Sequence, residues 1–187
     1  MGLKRANAAL GLLSALFMLA HIAYNVFCYL TFFYDPVLKM VFSLPFIVLV
    51  CAHAILGMLT VFLSSDGTRL DAYPGQNRRT VLKRVSAALI FPLLIVHVQS
   101  LGLMRQFSEA GNMPLVLLLI AAEVLFFAVV ITHIATSLTA GLVTLGLLGS
   151  KEAQERIDRV VYVLGALTFV LSTYAIVSGH ATTFLHG

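Results

Sequence analysis

Charged side chains are scarce in this chain. Only 11% of its 187 residues are Asp, Glu, Lys or Arg, whereas 60% are hydrophobic, and an average soluble domain carries about 25% charged residues. The mean hydropathy is +0.98. This composition excludes an ordinary soluble domain and predicts a chain that lies in a membrane.

Cysteine is also scarce, with Cys28 and Cys51 as the two examples. At the rise of an α-helix their expected heights in the membrane differ by roughly 13 Å, which is too far for a disulfide. No cysteine pattern in the sequence indicates an iron–sulfur cluster. Ordinary apolar packing is therefore the expected role of both thiols.

The charges cluster in short stretches and leave five apolar runs, each long enough to cross a hydrocarbon core of ~30 Å with ~20 helical residues. The runs lack the polar alternation of barrel strands, so helices are expected. Lys4 and Arg5 precede the first run, which is too long for a signal peptide and is followed by further spans. The sequence predicts an all-α integral membrane protein, one domain over residues 1–187, with transmembrane helices at approximately 6–34, 40–64, 85–104, 113–148 and 160–180.

Basic residues predict the orientation of these spans. Ten of the twelve Lys and Arg residues fall on the side of the N-terminus, and Lys39 and Arg105 fall on the other. By the positive-inside bias, the N-terminus is expected in the cytoplasm and the C-terminus outside the cell membrane. The ten either set only this topology or include a docking face for an acidic partner or haem propionates, formed by Arg78, Arg79, Lys83 and Arg84. Arg84 is the candidate for a propionate contact.

Four histidines lie one apiece near the middle of the first four runs: His21, His53, His97 and His133. Ionisable residues inside a membrane are rare, so each is a candidate site residue. Counted by helical rise, all four lie roughly 18–26 Å above the predicted cytoplasmic boundary. In a ring of four antiparallel helices the first and third are diagonal, as are the second and fourth. The economical pairs are therefore His21 with His97 and His53 with His133, each pair clamping one haem iron.

Other roles for these histidines are weighed against haem. Any one of them taken alone is explained by a hydrogen bond to a neighbouring helix. Zinc needs three or four ligands at ~2 Å, often with cysteine or carboxylate, and no carboxylate accompanies the histidines on their own helices. Two imidazoles on one haem suit neutral histidines in apolar surroundings. His180 and His186 are expected to be hydrated and to have no ligand role, although His180 could border an outer quinone pocket.

Small residues line the faces that carry two of these histidines. Ser137 and Gly141 follow His133 at four-residue spacing, and Gly57 stands one turn from His53. Such stripes leave room for a planar cofactor, but they are also ordinary interfaces between membrane helices.

The distribution of ligands distinguishes among haem proteins. Respiratory-complex cytochromes b and transmembrane ferric reductases carry two histidines on one helix, and ascorbate-type cytochromes have a further span before their ligands. One histidine on each of the first four of five spans resembles the dihaem cytochrome b membrane anchor of type B succinate:quinone oxidoreductases, including quinol:fumarate reductases. The segments that carry the resemblance are LLSALFMLAHIAYN, CAHAILGMLTVFL, YPGQNRRTVLKRVSAALIFPLLIVHV and THIATSLTAGLVTLGLLGSKEAQERIDRVV.

The resemblance implies that His53 and His133 hold the haem proximal to the catalytic subunits, and that His21 and His97 hold the distal haem. It implies an FAD-bearing flavoprotein subunit and an iron–sulfur subunit on the cytoplasmic face, and a quinone such as menaquinone. The chain itself is not expected to act on the dicarboxylate or to bind nucleic acid; its remaining partner is membrane lipid. The alternatives are a stand-alone transmembrane electron carrier and a haem-free transporter or anchor.

One position departs from this resemblance. Some fumarate reductases of the family carry a proton-conducting glutamate two residues before the ligand on the fourth span, where this chain has Ile131. Glu123 is the intramembrane carboxylate instead, and desolvation disfavours its charged form. We expect it either to transfer quinone protons near the outer face or to be a protonated side chain bonded to a neighbouring helix.

Overall fold

The computed structural model describes residues 2–64 and 78–185, and this part of the chain is all-helical. Each of its five helices is long and apolar enough to cross a membrane, as the composition predicts. Arg69 and His186, which the sequence assigns to a loop and to the tail, lie outside the described residues. The helices are α1 (Leu3–Thr31), α2 (Pro36–Ser64), α3 (Arg78–Glu109), α4 (Met113–Leu145) and α5 (Lys151–Phe184).

The connection between α1 and α2 consists of residues 32–35, whereas the apolar runs place it at residues 35–39. Phe32 adopts a left-handed conformation with φ of 55° and ends α1. The Asp35 carboxylate then accepts the backbone N–H groups of Val37 and Leu38, at 2.8 and 3.1 Å, which caps α2. The Tyr24 hydroxyl donates to the backbone oxygen of Asp35 and accepts its N–H. This tight turn makes α1 and α2 an antiparallel pair.

Two helices extend further into polar sequence than the apolar runs predict. Residues 78–84 and 151–159, which their charge assigns to connecting loops, are helical. Arg79 donates two hydrogen bonds to the Asp158 carboxylate, at 2.6 and 2.8 Å, and Ser150 caps α5. Because the charges at these two helix ends pair with each other, the polar ends pack as helices.

The helices form a ring that is open on one side. Helix α4 is central and packs against α1, α3 and α5, and α1 also packs against α2 and α5. No described Cα atom of α2 comes within 8 Å of one in α3, α4 or α5. The ring of four expected from the sequence therefore has its α1–α2, α3–α4 and α1–α4 contacts but lacks a backbone contact between α2 and α3.

The core lies between α1, α4 and α5 rather than around α2. None of the described α2 side chains is fully buried. A second, smaller core lies toward the end of the bundle at which α3 ends and α4 begins, and it contains Met104, Val116, Ile120 and Phe184. The main cluster is formed by Met18, Ile22, Phe126, Phe127, Val130 and Ile176.

Candidate functional site

The rings of His53 on α2 and His133 on α4 lie next to each other. Their centroids are 6.4 Å apart and their planes are inclined by 60°. Two imidazoles on opposite sides of one ion have centroids roughly 6.2 Å apart, for a metal–nitrogen distance of about 2 Å and roughly 1.1 Å from nitrogen to centroid. The separation of the two rings therefore matches a single ion held between them.

Both rings are oriented through the same nitrogen. Nδ1 of His53 lies 3.1 Å from the backbone oxygen of Asn7. Nδ1 of His133 lies 3.2 Å from the backbone oxygen of Lys83 and 3.3 Å from Oγ of Ser86. A backbone oxygen only accepts, so Nδ1 carries the proton in both rings and Nε2 keeps its lone pair. Metal-bound histidines almost always have this arrangement.

Gly11 makes the position of His53 possible. A Cβ atom on Gly11 would lie 2.8 Å from Cε1 of His53 and 3.1 Å from its Nδ1, so α1 approaches the ring closely only because this residue is glycine. Gly57 is under no such constraint, since a Cβ there would meet Asn7 at ordinary contact distance. The importance of Gly11 was not recognised from the sequence. The available signal was a glycine inside a helix, where it costs about 1 kcal/mol relative to alanine.

Three buried polar atoms on residues close in sequence to these rings or their partners have no hydrogen-bond partner among the described residues: Oδ1 of Asn7, Nη1 of Arg84 and Oγ of Ser137. Each lies within about one helical turn of a residue that orients or carries a ring. Buried polar groups are normally satisfied, so an unpartnered donor needs an explanation. The Arg84 donor fits an acceptor such as the propionate contact predicted for this residue.

His21 and His97 are not in ring contact with each other, although both are among the described residues. Nε2 of His21 accepts from the Asn25 amide at 3.1 Å, while its Nδ1 is buried without a partner. Phe46 of α2 stacks on the His21 ring with centroids 5.9 Å apart. Because Nε2 accepts this hydrogen bond, Nδ1 carries the proton of the neutral ring, and the lone pair of the ring is engaged by Asn25.

His97 is held by three side chains of α4. Its Nδ1 lies 2.6 Å from Oε2 of Glu123, whose side chain is only 3% exposed. The ring stacks on Phe126 at 4.8 Å between centroids and meets the edge of Phe127 at 6.3 Å. Glu123 is therefore bonded to a neighbouring helix, which was one of the two expectations for it. Its partner, His97, is a candidate ligand.

The four histidines lie in two layers rather than at one height. Gly11 is at the level of His53, and His21 follows it by ten residues in α1, or about 15 Å of helical rise. Phe126, which stacks on His97, packs with Met18 and Ile22 on either side of His21. We call His53 and His133 the first layer, nearer the end where α1 begins, and His21 and His97 the second layer. The heights counted from the sequence, roughly 18–26 Å for all four histidines, do not resolve these layers because helix ends do not coincide with the ends of the apolar runs.

His180 is buried instead of hydrated. It is 2% exposed, its Nε2 lies 3.3 Å from the Tyr29 hydroxyl, and the two rings meet edge to face. The expected hydration is wrong because α5 continues to Phe184 and carries His180 into the packed end of the bundle. Gly179 permits this packing, since a Cβ there would collide with the Tyr29 ring.

The basic residues proposed as a docking face do not form one set. Arg79 is engaged inside the bundle, by the Asp158 carboxylate and by the backbone oxygen of Thr136 at 3.0 Å. Lys83 and Arg84 are half-buried, and Arg78 is exposed. Arg78 is therefore the member of the four most accessible to another protein.

Within residues 2–64 and 78–185, no group of three or more His, Cys, Asp or Glu side chains is arranged to hold a metal ion. Cys28 and Cys51 are free, in agreement with the predicted absence of a disulfide between them. Comparisons with protein-family models, curated proteins and solved structures give no match to this chain.

Proposed function

We propose that this chain is a dihaem cytochrome b that anchors a succinate dehydrogenase or fumarate reductase complex in the membrane. In this proposal it passes electrons between a membrane quinone and a cytoplasmic iron–sulfur subunit. The observation that carries the proposal is the apposition of His53 and His133, with centroids 6.4 Å apart and both Nδ1 atoms bonded to backbone oxygens.

The chain's own residues in the first layer perform three tasks. The backbone oxygens of Asn7 and Lys83 fix the tautomer of each ring, which presents Nε2 to the metal. The two rings meet between α2 and α4, whose described Cα atoms stay more than 8 Å apart, and Arg84 offers a buried donor to an acidic substituent. Two protein ligands and a buried guanidinium fit a haem better than an ion bound by protein alone.

The second layer is proposed to hold another haem between His21 and His97. Two observations support this pair: the shared level in the bundle and the carboxylate partner of His97. Ligation through His21 would require its Nε2 to leave the Asn25 amide. Two haems would supply one-electron carriers at successive depths. Glu123 as a proton donor or acceptor for quinone stays a prediction.

The partners are proposed from the resemblance and from the charge asymmetry of the chain. An FAD-bearing subunit and an iron–sulfur subunit would bind at the end of the bundle where α1, α3 and α5 begin, which holds most of the basic residues and is cytoplasmic by the positive-inside bias. Menaquinone is the proposed quinone. Exposed apolar side chains on α2 and α3 fit contact with lipid.

Purification from native membranes tests the proposal. We expect two haems b per chain by pyridine haemochrome assay, together with flavin and iron–sulfur subunits. Two haems without these subunits would instead favour a stand-alone electron carrier. Absence of haem from the freshly purified chain would refute both and favour a haem-free transporter or anchor.

Alanine substitutions at the four histidines test the pairing. His53→Ala and His133→Ala are each expected to remove one and the same haem, identified by its midpoint potential in a redox titration. His21→Ala and His97→Ala are expected to remove the other. If His53→Ala and His97→Ala removed the same haem, the two-layer assignment would be wrong.

A further inference from the structure

The contact between Glu123 and His97 differs in kind from the contacts that orient the other layer. In the first layer Nδ1 of each histidine bonds a neutral backbone oxygen. In the second layer Nδ1 of His97 bonds a carboxylate oxygen of another helix at 2.6 Å. Among the described residues, His97 is thus the candidate ligand whose hydrogen-bond partner, Glu123, can carry a full charge.

The burial of the Glu123 carboxyl group costs free energy. Its side chain is 3% exposed and its second oxygen, Oε1, is buried without a hydrogen bond. A carboxyl group in such surroundings is costly unless a specific interaction compensates. Its short contact with His97 is the one hydrogen bond that Glu123 makes among the described side chains.

Ligation would fix the direction of this hydrogen bond. If Nε2 of His97 binds a metal, the ring proton must reside on Nδ1, which then donates to Oε2 of Glu123. A carboxylate in this position orients the ring and raises the basicity of the ligand, as in carboxylate–histidine–metal arrangements generally. Phe126 and Phe127 restrict the ring further, so the hydrogen bond acts on a ring that is already confined.

We propose that Glu123 is a positioning residue that orients His97 and lowers the reduction potential of the haem in the second layer. This inference rests on the proposed function, since it requires a metal on His97. The carboxylate favours the more positively charged, oxidised iron through the ligand, whereas the neutral partners in the first layer lack this effect. The role is distinct from proton transfer to a quinone, which would need Glu123 to reach the quinone directly.

Glu123→Gln in the assembled complex tests the inference, because the amide oxygen still accepts from Nδ1 but carries no charge. A tenfold loss of preference for oxidised iron corresponds to a rise of about 59 mV for one electron. We expect a rise of this order in the haem that His97→Ala removes, and an unchanged potential in the other haem. Glu109→Gln is the matched control, since it makes the same chemical change at a carboxylate that is 67% exposed and pairs with Arg105, and it is expected to leave both potentials unchanged.

The outcomes separate this inference from the function on which it rests. A wild-type complex without haem refutes the proposed function itself. A wild-type complex with two haems, and a Glu123→Gln variant in which neither potential moves or both move together, overturns the role of Glu123 alone. Altered quinol turnover at unchanged potentials also overturns it and supports proton transfer instead. If the glutamine variant does not assemble, Glu123→Asp, which withdraws the carboxylate from Nδ1, undergoes the same titration with the same criteria.

Discussion

Gly11→Ala is the sharpest perturbation of the first layer, because it adds one methyl group beside a candidate ligand. The new Cβ would lie 2.8 Å from Cε1 of His53, where ordinary contacts begin at 3.4 Å. The neighbouring atom is part of a ring that is held by the Asn7 backbone oxygen and not the end of a flexible chain. Either α1 or the His53 ring must therefore move by about 0.6 Å.

The displacement is large on the scale of a metal site. Metal–ligand distances are held within about ±0.2 Å, and overpacking of this kind costs about 1–3 kcal/mol. A ring that moves by several tenths of an ångström loses either its bond to the metal or its hydrogen bond to Asn7. Changes in the shell that orients a ligand typically reduce metal affinity by about 10–100-fold, which is the loss we expect for the haem of the first layer.

Haem content and a redox titration of the purified complex measure this effect. Gly102→Ala is the matched control, because a Cβ at Gly102 meets nothing within 4 Å while the gain in helix propensity, about 1 kcal/mol, is the same. We expect Gly11→Ala to lose or weaken only the haem that His53→Ala removes, and Gly102→Ala to keep both. Two fully occupied haems with unchanged potentials in Gly11→Ala would refute the close approach of α1 to His53.

Two further predictions concern residues outside the ligand set. His180→Ala is expected to keep both haems but to lower the free energy of unfolding by about 2 kcal/mol, because it removes a buried ring that contacts Tyr29. Thermal unfolding in detergent measures this change. Loss of a haem would show instead that His180 is a ligand. Asp158→Asn is expected to cost about 1 kcal/mol, because it weakens the two hydrogen bonds from Arg79. Glu109→Gln, at an ion pair whose partners are 77% and 67% exposed, is the control and should change stability by less than about 0.5 kcal/mol. Equal effects of the two substitutions would contradict the structural role assigned to Asp158.

The helices follow from the sequence because they depend on coarse properties. Five apolar runs of sufficient length predict five spanning helices, and all five are present. The order of spans around a ring pairs His53 with His133, whose ring centroids lie 6.4 Å apart, and His21 with His97, whose rings are not in contact. Binding of a haem by either pair stays a prediction.

The depth of each histidine and its partners depend on finer properties. Helix α3 begins at Arg78, within charged sequence that the apolar pattern places outside the membrane, because Arg79 finds a partner in Asp158. Heights counted from the apolar boundary therefore carry an error of several residues, and at about 1.5 Å each this error is a large fraction of the roughly 15 Å between the layers. His180 was misplaced for the same reason, since the last helix is longer than its apolar run.

Each oriented histidine is held by a helix other than its own. The candidate ligand His53 of α2 is held by α1, His133 of α4 by α3, and His97 of α3 by α4. These contacts fall within the antiparallel pairs α1–α2 and α3–α4, which are the most extensively packed pairs of the bundle. Each of these rings is thus oriented within its own helix pair, so its orientation does not depend on contact between α2 and α3, which is lacking in the described residues. His53 and His133 are held through backbone oxygens that almost any residue supplies, so this arrangement leaves few traces in the amino-acid sequence, namely Gly11, Ser86 and Glu123.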